Sequence, residues 1–69
     1  MTNTTLLREI IESKGLKLKF VAEKIGLTPN GFALKLNNKQ EFKTGEISAL
    51  CDLLNIDSLE LKEKIFFNH

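Results

Sequence analysis

The residues that could catalyse a reaction or bind a metal ion are few in this chain. It contains a single cysteine, Cys51, and a single histidine, His69. One cysteine cannot form an internal disulfide, and a structural zinc site needs about four ligands of these types. No carboxylate pair, activated nucleophile or glycine-rich phosphate loop is recognisable. We therefore expect a protein that is not an enzyme and that takes no metal, cofactor or small-molecule substrate.

The uneven distribution of charge indicates a binding function instead. Residues 14–43 contain seven lysines against two glutamates, a net charge of +5. Residues 44–69 contain two lysines against five acidic residues, a net charge of −3. A binding surface is a local property, so the net charge of +1 for the whole chain conceals this asymmetry. The middle of the chain is therefore the predicted binding region.

Length and composition predict one folded domain that spans residues 1–69. A chain of 69 residues is too short for two cores, and a hydrophobic fraction of 42% is typical of a globular domain. No apolar run approaches the roughly 18 residues of a membrane helix, and the first residues do not match a signal peptide. We expect a cytoplasmic protein with no membrane partner.

The spacing of apolar residues predicts an all-α fold, a compact bundle of about five short helices. Helix one is expected over about residues 5–14, capped by Thr4 or Thr5 and stopped by a left-handed Gly15. Helix two is expected to end at Gly26. Its apolar stripe consists of Leu18, Val21, Ala22 and Ile25.

Helix three is predicted to begin at Thr28 and Pro29. Threonine can cap the free amides at the start of a helix, and proline suits the first helical position. Asn37 and Asn38 are expected to end this helix. Its inward-facing residues are predicted to be Phe32 and Leu36.

The last two helices are predicted from their capping residues and from the helical spacing of their apolar residues. Thr44 is expected to cap helix four and Asn55 to stop it, while Asp57 and Glu60 suggest a capping box for helix five. Of the neighbouring Phe66 and Phe67, only one can point into the core, so the other is expected at a dimer contact. The remaining inward residues are predicted to be Ile47, Leu50, Cys51, Leu54, Leu61 and Ile65.

The segment from Val21 to Phe32 meets the requirements of a helix-turn-helix. Ala22 is small enough for another helix to cross closely, and Gly26 can adopt positive φ in the turn. Phe32 can anchor the following helix. Such a unit presents its second helix to the major groove of DNA.

In these residues the sequence resembles the lambda-repressor-like, or Cro/XRE-type, helix-turn-helix family, especially its short phage-type regulators. The resemblance covers about residues 5–56 and includes the end of helix three, residues 34–39, and the start of helix four, residues 42–47. It implies a transcriptional regulator that occupies operator sites in double-stranded DNA, usually as a homodimer. Family members often have a glutamine near the start of the second helix, where this chain has Leu18.

Two sets of residues are predicted to contact DNA. On helix three, the side opposite Phe32 and Leu36 is predicted to contact base edges through Asn30, Ala33, Leu34 and Asn37. An asparagine can bond adenine, and an apolar side chain can contact a thymine methyl group. The residues predicted to contact phosphates flank this helix and are Lys17, Lys19, Thr28, Lys35, Asn38, Lys39, Lys43 and Thr44.

Other interpretations of these residues remain open at this stage. Asn30 can be a solvated residue of the first helical turn, and Leu34 can be a core residue. Any single lysine can simply be solvated. The same fold also serves in protein-interaction modules, such as an antitoxin or an anti-repressor partner with weak DNA binding. The recognition helix has no arginine or glutamine, which favours this alternative, while the charge of residues 14–43 opposes it.

Overall fold

A computed structural model describes residues 2–67, which form five α-helices and no strand. The helices are α1 (Thr4–Ser13), α2 (Leu18–Lys24), α3 (Pro29–Leu36), α4 (Thr44–Leu54) and α5 (Leu59–Phe66). The predicted all-α bundle of five short helices is thereby confirmed. Among the described residues, no helix combines the length and the apolar character needed to cross a membrane.

The cap of α3 was predicted correctly, and the caps of α1, α4 and α5 were not. The Thr28 side chain accepts a hydrogen bond from the Gly31 N–H at 3.0 Å, with Pro29 as the first helical residue. At the start of α1, Asn3 rather than Thr4 or Thr5 caps the helix by accepting the Leu6 N–H at 3.1 Å. Asparagine, serine and threonine are similar capping residues, so composition alone does not choose between neighbouring positions.

The starts of α4 and α5 also lie one residue away from the predicted caps. Lys43 occupies the cap position of α4, and its backbone N–H donates to the Glu46 carboxylate at 2.9 Å. Thr44 is therefore the first helical residue. Ser58 caps α5 by accepting the Leu61 N–H at 3.3 Å, in place of the predicted Asp57.

The turns that follow the helices use left-handed backbone conformations. Gly15 and Gly26 have φ angles of 70° and 82°, as predicted for both glycines. Asn38 and Asn55 adopt φ angles of 59° and 56°, and asparagine tolerates this region better than most residues. Each of these turns ends a helix and changes the direction of the chain within a few residues, so the short helices can pack on one another.

The core lies between all five helices and is almost entirely apolar. Its fully buried members include Leu7, Val21, Phe32, Leu50 and Ile65, one from each helix. Helix α2 packs against α3 and α4, and α1 packs against α5. This arrangement buries the inner side of α3 and leaves its opposite side at the surface.

Phe42 connects distant parts of the core although it lies in the segment between α3 and α4. Its ring packs edge-on against Phe32, with centroids 6.1 Å apart, and against Phe66, with centroids 6.3 Å apart. Phe66 is therefore the aromatic residue of α5 that enters the core, and Phe67 is 54% exposed. The expectation that only one of the two points inward is confirmed.

One predicted core residue lies at the surface instead. Leu18 was assigned to the apolar stripe of the second helix, but 39% of its surface is exposed. It is the first residue of α2, and the helix is only seven residues long, so its first turn extends past the edge of the core. Phe20, on the same helix, is similarly exposed at 40%.

Candidate nucleic-acid interface

The outer face of α3 consists of Asn30, Ala33 and Asn37, which follow one another at helical spacing and are all exposed. The fourth predicted member, Leu34, is half-buried. Phe32 and Leu36 lie on the opposite side and are almost fully buried, as predicted. Three of the four residues predicted to contact bases thus share one accessible surface.

Arg8 of α1 extends this surface beyond α3. Its guanidinium group donates a hydrogen bond to the Asn37 side-chain oxygen at 3.3 Å. Arginine can only donate, so the carboxamide of Asn37 turns its oxygen towards Arg8 and keeps its NH₂ group for another acceptor. Arg8 could not be recognised as a site residue from the sequence, because it lies 29 positions from Asn37 and only the packing of α1 brings the two together.

A small cavity of about 70 Å³, which we call the α2–α3 cleft, opens beside the outer face. Its floor is formed by the buried Phe32 and Leu36. Leu18, Pro29 and Ala33 form its apolar walls, and Arg8 and Lys19 also line it. Because Ala33 belongs to both surfaces, the cleft adjoins the outer face of α3.

The prediction that Lys35 belongs to the binding site is wrong. This lysine was expected to contact phosphates, but it is only 5% exposed. Its ammonium group forms an ion pair with Glu46 of α4 and lies 6.0 Å from the centroid of the Phe42 ring. A buried, neutralised lysine cannot reach a phosphate without breaking this pair, so Lys35 has a structural role.

The Lys35–Glu46 pair connects the last turn of α3 to the first turn of α4. Burial raises the pKa of the Glu46 carboxyl, but hydrogen bonds from the Lys35 ammonium and the Lys43 N–H outweigh burial and hold that pKa below its ordinary value. Glu46 is therefore ionised at neutral pH. The pair fixes both ends of the segment 37–43, which bears Lys39.

The other residues predicted to contact phosphates are all exposed. Lys17 and Lys19 lie at the start of α2, and Lys39 follows the end of α3, where its backbone N–H donates to the Leu34 carbonyl at 2.9 Å. The exposed set comprises Lys17, Lys19, Thr28, Asn38, Lys39, Lys43 and Thr44. Cations thus lie near both ends of α3.

The residues considered for catalysis do not form a site among the described residues. Cys51 is 7% exposed and lies in the apolar stripe of α4, as predicted. Burial raises the pKa of its thiol, and the nearby Lys62 lowers it only in part. His69 lies outside the described residues. No group of three histidine, cysteine or acidic residues within the range 2–67 is placed to hold a metal ion.

Comparison with known proteins identifies a family. A family model described as "Protein of unknown function (DUF739)" matches residues 3–69, nearly the whole chain, so the chain belongs to this family. No curated protein matches the sequence significantly. No solved structure matches it significantly either.

Proposed function

We propose that this member of the DUF739 family is a double-stranded DNA-binding transcriptional regulator of the lambda-repressor-like, Cro/XRE helix-turn-helix type. Helix α3 enters the major groove with its outer face towards the bases, and α2 crosses the phosphate backbone. The protein acts by occupying an operator site, and no catalytic step is involved.

The observation that supports this proposal most is the arrangement of α3 within the fold. Its inner side is held by Phe32 and Leu36, while Asn30, Ala33 and Asn37 project outward. A helix about 10–12 Å wide with short polar and small side chains fits the major groove of B-DNA. The cap at Thr28 and the turn at Gly26 fix the angle at which α3 leaves α2.

The charge around α3 also supports contact with DNA. Arg8 and Lys19 border the α2–α3 cleft, and Lys39 and Lys43 follow the C-terminal end of α3. Phosphate contacts of this kind position a protein on the duplex, while base contacts give specificity. With Lys35 neutralised by Glu46, the phosphate contacts are assigned to the exposed lysines and Arg8.

Salt-dependent binding to short duplexes tests the proposal. Each phosphate contact adds about 0.9 to the slope of log affinity against log salt concentration, so Lys19→Gln is expected to lower the slope by up to about that amount. Lys64→Gln removes the same charge from α5, where the lysine is exposed and forms an ion pair with Glu60, and serves as the control. Loss of affinity in both variants to the same extent would contradict the assignment of Lys19.

A second variant tests the outer face itself. Ala33→Glu places a carboxylate at an exposed position in α3, where glutamate is a good helix former. We expect helical content and stability to remain unchanged and duplex binding to fall at least tenfold. A variant that folds and still binds DNA with the original affinity would exclude the outer face of α3 as the contact surface.

We further propose that the protein binds DNA as a homodimer through α5. Leu59 and Phe67 are exposed by 70% and 54%, and they are the two most exposed large apolar residues of the described chain. Residues 44–69 are acidic overall, so this part of the domain is suited to protein contact rather than to phosphates. A two-fold dimer would place two α3 helices about 34–36 Å apart, one turn of DNA.

A protein-interaction module, such as an antitoxin or an anti-repressor partner, is the second candidate function. The exposed side chains of Leu18 and Phe20 on α2 favour it, because apolar side chains on one short helix can anchor a partner protein. Selection of bound sequences from a pool of random duplexes distinguishes the candidates. Enrichment of a common sequence supports the regulator, and recovery of no duplex supports the interaction module.

A further inference from the structure

The α2–α3 cleft combines an apolar interior with a cationic border. Leu18, Pro29 and Ala33 form its walls, and the buried Phe32 and Leu36 close its floor. Leu18 is the unexpected member, because the sequence pattern assigns it to the core while the structure exposes 39% of it. Its exposed surface faces the same cavity as Ala33.

The size of the cleft limits what can occupy it. Its volume of about 70 Å³ is enough for a methyl group. A methyl group is similar in size to a water molecule, whose share of liquid volume is about 30 Å³. The cleft volume is about half the roughly 150 Å³ of an apolar cavity that holds benzene, so the cleft suits a group smaller than an aromatic ring.

The charges beside the cleft indicate which molecule supplies this group. Arg8 and Lys19 line it, and Arg8 is held against the outer face of α3 by its hydrogen bond to Asn37. Two cations beside an apolar cavity complement a molecule that carries anionic groups next to a small apolar group. In the major groove of DNA, the only apolar group on a base edge is the 5-methyl group of thymine, with phosphates on either side.

We infer that the α2–α3 cleft receives the 5-methyl group of a thymine, and that Leu18 and Ala33 determine a preference for thymine at one fixed position of the bound site. This inference rests on the proposed DNA-binding function and adds a specificity element to it. The outer face contributes asparagines and no arginine or glutamine, so a contact with thymine compensates for the limited number of hydrogen bonds to base edges.

Replacement of thymine by deoxyuridine in the bound duplex tests the inference, because it removes only the methyl group. Thymines of a selected duplex are replaced one at a time, and affinity is measured by fluorescence anisotropy. We expect one position in each half-site to lose about fourfold in affinity, since burial of one such group contributes about 0.8 kcal/mol. The other positions should change little.

Protein variants connect that position to the cleft. Leu18→Ala is expected to bind the thymine duplex about as weakly as the wild type binds the deoxyuridine duplex, and to lose its discrimination between the two. Leu18→Met, which keeps an apolar side chain of similar volume, should retain part of the discrimination. Ser48→Ala truncates an exposed side chain of α4, outside both the cleft and the proposed dimer contact, and should discriminate as the wild type does.

The possible outcomes separate failure of the inference from failure of the proposed function. A duplex that is bound equally well with thymine and with deoxyuridine at every position would overturn the inference and leave the proposed function in place. Failure of every duplex to bind would overturn both. If a duplex binds at saturation but the methyl NMR signals of Leu18 and Ala33 do not move, the cleft belongs to another occupant, such as a partner protein, and the inference is wrong.

Discussion

Lys35 and Glu46 form an ion pair that is enclosed between α3 and α4, with only 6% and 13% of their side chains exposed. The pair lies beneath the predicted interface without taking part in it. Because both side chains are largely buried, either charge would be poorly solvated without its partner.

Lys35→Met is expected to destabilise the domain by about 1–3 kcal/mol, because it leaves the partly buried Glu46 carboxylate without its charged partner. Lys35→Met combined with Glu46→Leu should recover most of that loss, since no unpaired charge then remains between α3 and α4. Urea denaturation of the three proteins measures both effects. Equal stability of the single variant and the wild type would show that the pair contributes little.

Acid is expected to remove the contribution of Glu46. Its pKa is about 4.3 in an unfolded chain and lower in the folded domain, so the folded state gains stability from this group above that value. The gain is lost as the pH falls below about 4.3 and through the lower, folded-state pKa. Comparison of urea midpoints between pH 3 and pH 7 should show a smaller acid loss for the double variant than for the wild type.

Gly26→Ala is expected to lower the free energy of unfolding by about 1–2 kcal/mol, because a residue with a Cβ is disfavoured in left-handed backbone. The φ angle of Gly26 is 82°, and an added Cβ would meet no atom within 4 Å, so the cost is purely conformational. Gly45→Ala provides the control, because Gly45 lies in α4 with equally open space and without positive φ. That variant should gain about 0.4–1 kcal/mol. Thermal denaturation that moves both variants in the same direction would contradict this explanation.

Phe66 and Phe67 are expected to respond differently to substitution. Phe66→Ala should lose about 3–5 kcal/mol, because its ring fills the core beside Phe42. Phe67→Ser should keep the stability of the monomer and weaken the dimer, since its ring is exposed. Sedimentation at micromolar concentration reports the oligomeric state. If the wild type sediments as a monomer both alone and on DNA, the α5 dimer is wrong.

Cys51 is expected to react slowly with thiol reagents in the folded domain. Burial raises the pKa of its thiol and excludes the reagent, so little accessible thiolate is present at neutral pH. Labelling should accelerate in urea in parallel with unfolding measured by circular dichroism. Rapid labelling in the absence of urea would mean that α4 opens locally.

Local features of the fold could be predicted well from the sequence. Thr28, Gly26 and Asn55 act through neighbouring residues, and their roles follow from the residue type and the position relative to an apolar stripe. The outer face of α3 followed in the same way, because helical spacing places Asn30 and Asn37 opposite Phe32.

Features that depend on distant contacts could not be predicted. Lys35 was expected to contact phosphates, and nothing in the local pattern indicates that Glu46 would neutralise it between α3 and α4. Arg8 joins the site only through the packing of α1, and Phe42 enters the core from a segment that is otherwise polar. Such pairings depend on how the helices are arranged in space rather than on propensity.

The hydrogen bond from the Asn3 N–H to the Ile65 carbonyl, 2.6 Å long, brings two residues near opposite ends of the chain side by side. A short linker between them would cost little loop-closure entropy, so the order of the helices could be rearranged by circular permutation. New ends opened in the exposed segment 37–41 would separate α3 from α4 in the chain while leaving α1 beside α5. The same proximity would allow the whole domain to be inserted into a surface loop of a host protein without stretching that loop.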